Sequence, residues 1–150
     1  MINSFSILAS LRLNNESKSF FIFVIPSEFK FLSRLLNIKV TYTKNLIEWG
    51  GVKNWKGRTF SEFSKSKEYK LYIEDPLKIK TTEETYNDVY KRVKKEYMNT
   101  NNSVFVSHQD TIRSFTFYEL DDKNFNEKKP DHCSVHEIIK NKLIIHTYLD

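Results

Sequence analysis

The chain has 150 residues, which suits one domain, 1–150, burying roughly two-thirds of its unfolded surface. Twelve Phe, eight Tyr and two Trp provide a core and exclude a disordered polymer, and the lone Cys133 excludes an internal disulfide framework. A net charge of +5 would suit a polyanionic partner, but the cationic runs KNWKGR (53–58), KSKEYK (65–70), KRVKK (91–95) and NEKKP (126–130) are scattered and read as solvated surface.

The opening MINSFSILAS has neither a basic n-region nor a long apolar stretch, so no secretory signal is expected. FSILA (5–9) and SFFIFVI (19–25) read as strands, the second ending at Pro26. Ser27 then caps a predicted helix that carries Phe31, Leu32, Leu35 and Leu36. IKVTYT (38–43) alternates like a strand. The stretch 48–63 holds all three glycines and both tryptophans, which marks a turn or a close backbone approach. Thr59 caps a predicted helix that runs towards Pro76.

In 83–98, Tyr86, Val89, Tyr90, Val93 and Tyr97 fall on one helical face. SVFVS (103–107) is a continuous apolar strand of the kind buried inside parallel sheets, and it stops at His108. Ile112, Phe115, Thr116 and Glu119 line one side of the helix that follows. CSVHEI (133–138) and LIIHTY (143–148) read as a closing antiparallel pair. Strands alternate with helices, so the expected class is α/β with a mostly parallel central sheet. A ligand site is then expected beyond the carboxyl ends of the strands, where Ser10, the IPSE turn (25–28) and His108 would lie. No apolar run approaches the roughly 20 residues that span a bilayer, so an intracellular chain, cytoplasmic or nuclear and not membrane-bound, is expected.

Four segments together resemble the histidine phosphatase (phosphoglycerate mutase-like) superfamily. VFVSHQDTIRSF is similar to that family's strand ending in Ser-His-Gly and the Ile-Arg helix after it. TTEETYNDVYKRVKK resembles its Gly-Glu-Ser segment and helix. LNIKVTYTKNLIEWGGVKNWKGRTFSEF resembles its Leu-x-Glu and Gly-x-Trp-x-Gly stretch, and DHCSVHEIIKNKLIIHTYLD its terminal hairpin. The likeness covers Ile38 to Asp150 and is poor over the first 37 residues. It implies a three-layer α/β/α fold, shortened at the N-terminus.

In that family an Arg-His-Gly histidine is phosphorylated, a second histidine and two arginines surround the phosphoryl group, and a carboxylic acid protonates the leaving oxygen. The resemblance puts His108 at the second histidine and Glu84 at the acid. It also puts Ser10 and Leu11 where the arginine and the nucleophile belong, and leucine cannot be phosphorylated. Arg-His-Gly occurs nowhere in the chain. Lys30 is the one cation near the second arginine's place, and Gln109 replaces a small residue. His108 and Lys30 are therefore the weak candidates for phosphate binding, with His108 and Glu84 as relics of catalysis.

His132, Cys133 and His136 lack a second ligand pair, so neither a metal nor a cofactor is expected. The expected function is a non-catalytic, protein-binding subunit of a larger assembly that reaches nucleic acid only through that assembly. The alternatives are a divergent phosphomonoesterase or mutase using His108 and Glu84, and a phosphate or nucleotide sensor.

Overall fold

The computed structural model of the chain describes residues 7–10, 19–23, 34, 37, 40–100, 103–122, 124–126, 129–131, 134–139 and 142–147, with the backbone alone in 7–10 and 19–23. Its strands are β1 Ile7–Ser10, β2 Ser19–Phe23, β3 Val40–Tyr42, β4 Ser103–Ser107, β5 Val135–Ile139 and β6 Lys142–His146. They form one six-stranded sheet in the order β3-β1-β4-β2-β5-β6.

The predicted central strand is β4, and all five of its residues are buried. Side chains alternate across a strand. Phe105 therefore joins the core cluster beside Tyr97, while Val104 and Val106 face the other way. Both valines are buried as well, so both faces of β4 are covered.

The sheet is mixed, which corrects the expectation of a mostly parallel one. Among the described strands β2 and β4 form the one parallel pairing, and the other four pairings are antiparallel. Connection length gives the reason. Eight residues separate β1 from β2 and two separate β5 from β6, whereas a parallel crossover takes a dozen or more. Because β1 runs against β4, Ser10 sits opposite Ser103 at the amino end of β4, and His108 follows its carboxyl end. The expectation that Ser10 and His108 share one end of the sheet is thereby overturned. Leu11, Lys30, His132, Cys133 and the body of the helix expected after Ser27 lie outside the described residues.

Besides three short 3-10 helices and the helical residue Arg34, the described residues form four α-helices with given bounds: α1 Phe60–Phe63, α2 Lys67–Glu74, α3 Tyr86–Asn99 and α4 Gln109–Glu119. The single helix expected from Thr59 is two, because the Ser66 side chain accepts the Tyr69 N–H at 3.1 Å and caps a fresh start. Capping boxes of Thr59 with Glu62 and of Thr85 with Asp88 begin α1 and α3. In α3 the predicted stripe holds: Tyr86, Val89 and Val93 are buried, and Tyr90 and Tyr97 pack against the core.

Helix α4 is more enclosed than its pattern suggested, for every residue from Asp110 to Thr116 is buried. It packs along α3, and Ser114 donates to the Tyr86 carbonyl. The core they share joins Leu46, Trp49 and Val52 to Phe105, Ile112 and Phe115.

Candidate functional site

The segment 44–52 is docked onto the junction between β4 and α4. Ser107 Oγ donates to the Leu46 carbonyl at 2.6 Å, and Thr111 Oγ1 donates to the Ile47 carbonyl at 2.8 Å. On its far side, Trp49 Nε1 donates to the Glu84 carbonyl (2.9 Å) and Gly50 N–H to Glu84 Oε1 (3.1 Å). This close approach is what the glycine cluster is for: a Cβ at Gly50 would lie 3.1 Å from Glu83 Cβ, and Gly51 turns with φ 72°.

Arg92, on α3, ties this segment down. Its Nε and Nη2 donate to the two oxygens of Glu84 at 3.0 and 2.9 Å. Nη1 donates to the Asn45 carbonyl at 2.7 Å and Nη2 also to the Glu48 carbonyl at 3.3 Å. A two-pronged fork of this kind fixes both partners in place. Glu84 is thus an anchor in an ion pair, and the structure gives it no contact with His108.

The carboxyl that does face His108 is Glu48, with Oε2 3.6 Å from Nδ1. Glu48 Oε1 accepts the Trp49 N–H at 2.9 Å. Although 37% of its side chain remains open to solvent, burial by its neighbours and the negative Asp110 push its carboxyl up to about 7. His108 moves the opposite way: burial, and then the charge on Arg92, hold its imidazole below the ordinary range. At neutral pH the pair is therefore a neutral imidazole beside a carboxyl close to its midpoint. Such a pair can pass a proton, but it adds no positive charge. His108 Nε2 is shielded from solvent and meets no hydrogen-bond partner among the described residues.

The first turn of α4 carries a second carboxylate. Asp110 accepts from Arg113 Nη2 and, at 3.0 Å, from the Tyr72 hydroxyl. Arg113 is buried with its guanidinium 4.4 Å from the Phe125 ring centre and flanked by Tyr72 and Tyr86 at 5.7 and 5.8 Å. Burial and Asp110 raise both tyrosine hydroxyls, which stay protonated. Arg113 is a core anchor. Gln109 turns away and donates to the Pro130 carbonyl at 2.6 Å.

Of the residues singled out from the sequence, then, His108 stands at the strand–helix junction, Glu84 is locked to Arg92, and Ser10 lies at the other end of the sheet. Glu48 and Arg113 entered only as letters of the Leu-x-Glu and Ile-Arg segments, and neither they nor Asp110 and Arg92 were given a role. One signal existed for Glu48, an acidic residue set inside the apolar run LIEW, and one for Asp110 and Arg113, opposite charges three apart on a helix. Among the described residues no group of three or more His, Cys, Asp or Glu could hold a metal ion, and no helix is long and apolar enough to cross a membrane.

Compared with known families, residues 29–142 match the model of the histidine phosphatase superfamily (branch 1). The match starts at residue 29, ahead of the Ile38 expected from the motifs. No curated protein and no solved structure matches the chain.

Proposed function

The chain belongs to the histidine phosphatase superfamily, and on that footing we propose that it is a non-catalytic member that serves as a protein-binding subunit of a larger assembly. The observation that carries the reading is the charge around His108. The carboxyl of Glu48 faces it at 3.6 Å, and both arginines of the junction, Arg92 and Arg113, already hold carboxylate partners. A phosphoryl dianion needs preorganised positive charge, and here it would meet a carboxyl instead. The sequence supports the same reading, since no histidine precedes His108 to act as a nucleophile.

The sheet edge suggests how a partner docks. Strand β6 pairs only with β5 among the described strands, and its Ile144 and Ile145 are 42% and 39% exposed. Lys142 charges one end of the strand, as edges that stay single usually do, while its apolar middle suits a partner that adds to it. A narrower reading concerns which assembly. LLNIKVTYTKNLIEW and ETYNDVYKRVKK resemble the histidine-phosphatase-like subunit of the RNA polymerase III general transcription factor complex, and we propose an assembly of that kind.

Two measurements test this. The purified chain should not hydrolyse p-nitrophenyl phosphate above background, and turnover that disappears in His108→Ala would overturn the non-catalytic reading. Native purification should recover partner proteins in stoichiometric amount, and Ile144→Lys with Ile145→Lys should release them. A monomer in the native extract would defeat the subunit reading.

A further inference from the structure

One stretch of this chain is strongly basic. Residues 53–70 hold Lys53, Lys56, Arg58, Lys65, Lys67 and Lys70 against Glu62 and Glu68, a net +4 of the chain's +5. In sequence these cations form two runs separated by TFSEFS. Ring contacts between Trp55 of the first run and Tyr69 of the second set the two runs side by side. Trp55 stacks on Phe63 at 4.8 Å, Phe60 meets Phe63 and Tyr69 edge-to-face at 5.5 and 5.6 Å, and Trp55 lies 6.0 Å from Tyr69.

Little in the cluster neutralises it. Lys56 has a carboxylate partner, Glu83 at 3.6 Å, and among the described residues the other five cations have none. Glu62 is engaged in capping Thr59. Phe60 is 62% exposed although two perpendicular rings hold its orientation.

We propose that this surface binds single-stranded nucleic acid, with the Phe60 ring as a stacking platform and the surrounding Lys and Arg side chains following the phosphates. An exposed ring with a fixed orientation, set among unpaired cations, is the arrangement by which proteins take single strands without reading their sequence. Lysines act as point charges on phosphates, in keeping with contacts that are not sequence-selective. An anionic membrane fits less well. Phe60 is the one exposed apolar side chain in 53–70, too little for an inserting face, and exposed Glu62 lies two residues away. This surface is separate from the His108 junction, and the proposal does not depend on the reading given for that site.

Fluorescence anisotropy of a labelled oligouridylate of about twenty nucleotides with the full chain tests it. Binding should weaken steeply with salt, with a log–log slope near −0.7 for each phosphate contacted. Phe60→Ala should weaken it on the order of tenfold, and Lys65→Glu with Lys67→Glu and Lys70→Glu should abolish it. Thermal melts of the triple lysine variant should be unchanged, because its three side chains are exposed, and Phe60→Ala should cost no more than the two ring contacts it removes. Trp55 fluorescence, reporting from within the cluster, should change on titration in the wild type and not in the triple variant. No binding at low salt, or binding indifferent to both sets of changes, would overturn the proposal. So would capture by vesicles of mixed phosphatidylcholine and phosphatidylserine without binding of the oligonucleotide.

Discussion

Glu48 sits between Ile47 and Trp49, with its carboxyl turned towards His108. Its folded-state pKa, near 7, lies above the ordinary carboxylate value of 4.5. Between those values the folded chain keeps a proton that the unfolded chain has released. Stability therefore falls as pH rises through that window and is lowest, from this group, above about 7. Glu48→Gln keeps an acceptor for the Trp49 N–H and removes the charge. Partial exposure damps the effect, so the variant should be more stable than wild type by about 1 kcal/mol at pH 8, with the gain gone near pH 4. Urea melts at the two pH values measure it, and a variant equal or inferior to wild type at pH 8 would show that Glu48 carries no such penalty.

His136 has the opposite sign. It is fully buried in β5, neither ring nitrogen has a partner among the described residues, and burial lowers its imidazole to about 4. The unfolded chain takes up a proton below 6.5 that the folded chain refuses, so stability is lost as pH falls from 6.5 towards 4. His136→Leu removes both the titration and two unsatisfied nitrogens. It should gain about 2 kcal/mol more at pH 5 than at pH 8, and parallel stability curves for the two proteins would refute the assignment.

At the scale of elements, strand β4 and helix α4 work as one unit. The strand sets Phe105 against Tyr97 and its valines against the opposite face, while the helix buries a charged pair, Asp110 and Arg113, above it. A charge introduced at Phe105 would have no partner on either side, and an unpaired buried charge costs several kcal/mol. Phe105→Asp should abolish cooperative folding as followed by near-ultraviolet circular dichroism, and a soluble, cooperatively melting variant would contradict the central position of β4. The alternation that makes α/β readable came through in α3, β4 and the β5–β6 hairpin. It failed between Thr59 and Pro76, where Ser66 competes for the backbone and splits one predicted helix into two.

For the molecule as a whole, the distribution of charge matters more than its total. The superfamily collects cations around a phosphoryl group, whereas the two arginines of this junction are bound to Glu84 and Asp110. Each charge-assisted phosphate contact is worth about 1.5–3 kcal/mol, so losing two or three of them moves a micromolar ligand beyond millimolar. Calorimetric titration with phosphate, vanadate or 3-phosphoglycerate should give no saturable heat below about 1 mM. Micromolar binding that His108→Ala removes would favour a sensor or an enzyme.

The amino-acid order alone determined the family, the central strand, the long amphipathic helix and the missing Arg-His-Gly, because periodicity, caps and motifs are short-range features that neighbouring residues dictate. Tertiary structure alone decided the rest. Glu48 and His108 lie sixty positions apart, Tyr72 and Asp110 thirty-eight, and nothing local says that they meet. Strand direction depended on the eight-residue link from β1 to β2, which turned Ser10 away from His108. The basic runs at 53–58 and 65–70 read as scattered until the stacking of Trp55, Phe60, Phe63 and Tyr69 gathered them. The physical reason is the same throughout. Desolvation and charge pairing depend on which segments dock, and docking is a property of the packed core.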